Sequence, residues 1–115
     1  GAQNQSDIVL RVQTSGQGDM LLPIEVKGDW NKNLWSAAYE QLAKKYASDP
    51  HCHGKGIYLV LWLGTNRGDA SLQKHPNQPT RSAVELQERL QQETVQKTKG
   101  MDIQVFVLDI SIREH

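Results

Sequence analysis

Leu22-Pro23-Ile24-Glu25-Val26-Lys27 is the stretch on which the fold turns. It is a short apolar run that carries a carboxylate and an ammonium two positions apart. Side chains along a strand alternate between its two faces. Glu25 and Lys27 therefore share one face, and Ile24 and Val26 share the other. Taken alone, such a triplet reads as an edge strand with a solvated face, because short motifs recur by chance. The flanking segments decide.

Upstream, residues 7–14 (Asp-Ile-Val-Leu-Arg-Val-Gln-Thr) read as a strand, as do residues 20–27. Ser15-Gly16-Gln17-Gly18-Asp19 between them has turn composition. A hairpin folded about residue 16 sets Ile8 against Ile24, Leu10 against Leu22 and Val12 against Met20. All three pairs are apolar and share one face, which is expected to be the core face, and a one-residue slip would mix the faces. The same register sets Asp7 beside Glu25, with Lys27 on their face. Asp19 is a rival acid by proximity in sequence, but the register leaves it at the turn.

Downstream, residues 31–47 read as a helix. Trp35, Tyr39, Leu42 and Tyr46 form one stripe, and Leu34, Ala38, Gln41 and Lys45 form the adjoining one. Ser48-Asp49-Pro50 ends it. Ile57 to Leu63 is nearly all apolar, as expected of a central strand buried on both faces. Residues 64–79 are a polar loop. Residues 80–98 read as a second helix, capped by Thr80 or Ser82, with Val84, Leu86, Leu90 and Val95 on its apolar side. Ile103 to Ile110 is a last strand. The expected fold is α/β: a mixed β-sheet flanked by helices, in the order ββαβαβ.

The chain has 115 residues, the length of one domain spanning 1–115. Hydrophobic residues make up 37%, concentrated in runs, which excludes a disordered chain. Thirteen basic and thirteen acidic residues cancel, so any nucleic-acid surface must be a local patch. Cys52 is the single cysteine, so no intrachain disulfide forms, which fits a reducing, cytoplasmic setting. No apolar run approaches the roughly 20 residues that span a bilayer. The start, Gly1-Ala2-Gln3-Asn4-Gln5, lacks an initiator methionine and signal-peptide regions. An excised domain of a longer protein is expected.

Asp7, Glu25-Val26-Lys27 and Gln41, in this order of elements, resemble the PD-(D/E)xK phosphodiesterase superfamily, which has the restriction-endonuclease-like fold. Pro23 to Lys27, Leu34-Trp35, Glu40-Gln41-Leu42 and Gly56 to Trp62 look like a bacterial branch often carried on larger proteins. The resemblance covers about residues 6–64. Ser6-Asp7 stands where the family name has Pro-Asp. Members usually have a helix before the first strand, which this chain begins too late to contain; its lack is expected to expose core.

The resemblance implies a nuclease domain that hydrolyses phosphodiester bonds in nucleic acid, with DNA the first expectation, and that uses Mg²⁺ or Mn²⁺. Asp7 and Glu25 would bind the metal, together with the main-chain carbonyl of Val26. Magnesium is a hard cation that prefers oxygen donors and keeps several waters. Lys27 would orient the attacking water or neutralise developing charge. Gln41 would position Lys27 or a water. Expected partners are nucleic acid, the rest of a parent protein and a second copy in a homodimer, with no membrane. The rival expectations are a nuclease-like module that binds nucleic acid or protein without catalysis, and an unrelated α/β interaction domain.

His51-Cys52-His53 invites a zinc site, but zinc takes about four ligands, and His75 and His115 are distant in sequence. Lys44, Lys45, Lys55, Arg67, Lys74 and Arg81 are candidate phosphate contacts. The glycine-rich nucleotide motifs and the Gly-x-Ser-x-Gly elbow are missing.

Overall fold

The computed structural model describes residues 8–16, 18–47, 49–64, 71–73 and 80–111, with the main chain only at Thr14 and Lys45. Strand β1 (Ile8–Thr14) and strand β2 (Gly18–Gly28) form the expected antiparallel hairpin. Its register pairs Ile8 with Ile24, Leu10 with Leu22 and Val12 with Met20. Gly16 and Gly18 turn the chain at φ 80° and 77°, where a side chain would be strained. Strand β3 (Lys55–Trp62) runs parallel to β2, and strand β4 (Asp102–Asp109) runs parallel to β3. The sheet is mixed, four-stranded and ordered β1-β2-β3-β4. The class is α/β.

Parallel neighbours require crossovers. The one from β2 to β3 differs from the single helix expected over 31–47. Asn31 starts it with a side-chain turn, its Oδ1 accepting from the main-chain N–H of Asn33 at 2.8 Å. Such bonds compete with helix, and residues 32–36 remain in turns. A π-helix follows over Ala38–Ala47, then a 3₁₀ turn over Pro50–Cys52. Asp49 caps that turn by accepting from the His51 N–H at 2.8 Å. The main-chain and imidazole hydrogen bonds of His51 hold the Asp49 carboxyl below its usual range.

The β3 to β4 crossover contains helix α1 (Ala83–Lys97). Of the two candidate caps, Ser82 is the one used: its Oγ accepts from the Glu85 N–H at 3.1 Å. Leu86, Leu90 and Thr94 are buried. Val84 and Val95, expected on the apolar side, are exposed instead. Only one stripe of α1 reaches the sheet, because Gln87 and Gln91 turn toward β4. Gln91 accepts from Val105 N at 2.9 Å and donates to Ile103 O at 3.2 Å, while Gln87 accepts from Val107 N at 2.9 Å. These glutamines satisfy main-chain groups along the outer edge of β4.

Among the described residues, the core lies on one face of the sheet. Tyr58, Val60, Trp62, Ile103 and Val105 are buried there beneath Leu34, Leu42, Leu86 and Leu90. This corrects two expectations. Strand β3 is central but alternates: Ile57, Leu59 and Leu61, on the other face, are only half-buried. The apolar hairpin pairs also lie on that uncovered face, where Ile8 and Leu10 are 44% and 46% exposed. Helices cover the Glu25 side instead. In the π-helix, buried Ala38, Leu42, Ala43 and Ala47 recur every four to five residues, as its wider winding dictates. Of the expected stripe, Leu42 is fully buried, Trp35 and Tyr46 are half-buried, and Tyr39 is exposed.

Candidate functional site

Glu25 sits in the middle of β2, on the face that the helices cover. Lys27, one alternation further, sends its Nζ to 3.4 Å from Glu25 Oε1. The side chains are 4% and 18% exposed. The shared face expected from the strand period is therefore observed. Burying a carboxylate costs several kcal/mol unless it is paired, and the ammonium beside Oε1 supplies part of that compensation.

Tyr58 is the β3 residue in register with Glu25. Its hydroxyl donates to the Leu34 carbonyl at 2.7 Å, tying the start of the crossover to the centre of the sheet. Burial, followed by the nearby Glu25 charge, pushes the Tyr58 phenol well above its usual range. A carboxyl group and a phenol thus lie side by side under the crossover.

Past the end of β2, Asp29 is fully buried. Its Oδ2 accepts from Leu63 N at 3.1 Å, its N–H donates to Leu61 O at 2.9 Å, and its carbonyl accepts from Gln73 N at 2.9 Å. Trp35 Nε1 donates to Gln73 O at 2.9 Å, and Gln73 Nε2 donates to Trp30 O at 3.1 Å. These bonds fix the exit of β2 against the segment that follows β3. Sequence reasoning missed Asp29 and Tyr58. The alternation Glu25-x-Lys27-x-Asp29 was the available signal for Asp29, whereas Tyr58 needs the parallel register to be found.

Of the predicted site, the structure brings together Glu25 and Lys27. Gln41 lies on the π-helix, which packs over β2 and β3, and is half-buried. Val26 pairs with Leu59 in the ladder. Asp7 lies outside the described residues, and with it the pairing of Asp7 and Glu25. Asp19 is held at the hairpin end by Arg11 at 3.1 Å. Among the described residues, no group of three or more His, Cys, Asp or Glu side chains is assembled.

Cys52 points inward and is buried, while His51 and His53 are exposed, with His51 Nδ1 3.0 Å from Asp49. Lys55 pairs with Asp102 at 3.2 Å. Lys44 and Arg81 are exposed. Arg67 and Lys74 lie outside the described residues. No described helix is long and apolar enough to cross a membrane. No family model matches the chain, and neither does a curated protein or a solved structure.

Proposed function

We propose that the chain is a metal-dependent nuclease domain hydrolysing phosphodiester bonds in DNA, built on a restriction-endonuclease-like ββαβαβ core. It would serve as the cytoplasmic effector module of a longer bacterial protein that supplies targeting. The observation that carries this is the Glu25–Lys27 pair, an acid and a cation 3.4 Å apart on one wall of the sheet. The strand bearing it belongs to a hairpin and leads through a helical crossover to a parallel neighbour.

The Glu25 carboxylate is a hard oxygen donor, and Mg²⁺ is commonly held by one or two carboxylates together with waters and substrate phosphate. Asp7 and the Val26 carbonyl are the further ligands in this proposal. When bound, such an ion polarises the phosphate and lowers the pKa of a bound water. Lys27 holds the water or balances charge on the phosphoryl oxygens. Gln41 would position Lys27 or a water.

The test is plasmid cleavage by the purified chain with Mg²⁺ or Mn²⁺, with EDTA, and with Glu25→Ala and Lys27→Ala. Metal-dependent cleavage that both substitutions abolish, with circular dichroism unchanged, is expected. Cleavage retained by both variants would sink the assignment. The depth of Glu25, nearly closed off and engaged by Lys27, favours a second reading: a nuclease-like module that binds nucleic acid or protein without cutting. That reading predicts binding without cleavage under every metal condition.

A further inference from the structure

Among the described residues, one face of the sheet carries no helix, and apart from Gln104 and the Lys55–Asp102 corner it is apolar. Ile8 and Leu10 on β1, Leu59 and Leu61 on β3, and Phe106 and Leu108 on β4 all project from it. Phe106 and Leu108 are 50% and 52% exposed. Four strands of seven to eleven residues give this face roughly 540 Å² at the usual rise and strand spacing. A mainly apolar face of that size lies at the upper end of what a single chain usually exposes, and such patches are often functional.

We infer that a second copy of this chain covers the face, sheet against sheet. Area argues for this occupant, and charge does not oppose it. The charged side chains at its corner, Lys55 and Asp102, already neutralise each other at 3.2 Å. Two copies related by a two-fold axis therefore meet without bringing like charges together. Two such faces bury on the order of 1,100 Å² in all, just above the roughly 1,000 Å² that a specific interface needs. Sheets packed this way interdigitate their side chains across about 10 Å. The alternative of pairing edge to edge is closed at β4, where Gln87 and Gln91 occupy main-chain groups. The inference does not depend on nuclease activity.

The test is sedimentation velocity over a wide range of concentrations, on the chain and on Phe106→Lys and Leu10→Lys. Both positions are half-exposed, so a lysine there can reach water in the monomer without unfolding it; circular dichroism checks this. A discrete dimer is expected, with each substitution weakening association by roughly tenfold or more, as for a central interface residue. A monomer at every concentration gives the face to some other occupant and overturns the inference. So does a dimer indifferent to both substitutions, or open-ended aggregation in place of a closed pair.

Discussion

At the scale of single residues, Tyr58 is the most constrained group beside the candidate site. Its hydroxyl meets the Leu34 carbonyl at 2.7 Å in a fully buried position. Tyr58→Phe leaves that carbonyl without its donor and is expected to cost about 1–2 kcal/mol by denaturant titration. The folded phenol is held above its usual pKa, so above about pH 10 the unfolded chain releases this proton first. Tyr58 thus contributes stability that is present below pH 10 and lost as pH rises beyond it. The wild-type minus Tyr58→Phe difference should shrink above pH 10; a difference constant to pH 11 contradicts it. Glu25 and Lys27 were legible as neighbours, because the strand period fixes their shared face whatever packs on it. Their burial was not, since that depends on which face the helices choose.

At the scale of elements, the π-helix rests on β3 through Gly56. A Cβ there would lie 3.2 Å from Leu42 Cδ1 and from Ile103 Cδ1, both on buried side chains. Gly56→Ala stiffens the unfolded chain by roughly 0.4–1 kcal/mol in favour of folding. Crowding in a packed core costs about 1–3 kcal/mol, so the net effect expected is a loss of about 1 kcal/mol in chemical denaturation. Unchanged or increased stability would mean that the helix yields at no cost. The strands and their register could be read because apolar pairs match in only one alignment. The first helix was misplaced because Trp35, Tyr39, Leu42 and Tyr46 fit an α-helical stripe, whereas the chain winds wider and buries Ala38, Ala43 and Ala47. Small alanines carry little hydrophobic signal, and nothing local announces a π-helix.

At the scale of the whole molecule, the described residues make the sheet a partition, with helices on one side and apolar surface on the other. The apolar run of Ile57 to Leu63 correctly indicated a central strand. It also suggested cover on both faces, which the described elements do not provide. What the run does report is a strand with a parallel neighbour on each side. The Glu25–Lys27 side and the open side therefore answer to different experiments, and a substitution at Phe106 need not disturb the pair.

The inward-facing Cys52 gives this architecture a clock. Burial, and then the Asp49 charge, push its thiol above the usual range, and only the thiolate attacks an alkylating reagent. It is the sole sulfhydryl in the chain and sits in the turn that enters β3. Labelling speeds up when that turn opens, so the alkylation rate reports opening without any added probe. In native buffer it should run at least on the order of a hundredfold slower than in denaturant. Equal rates would show that the entrance to β3 breathes freely while the rest of the sheet holds.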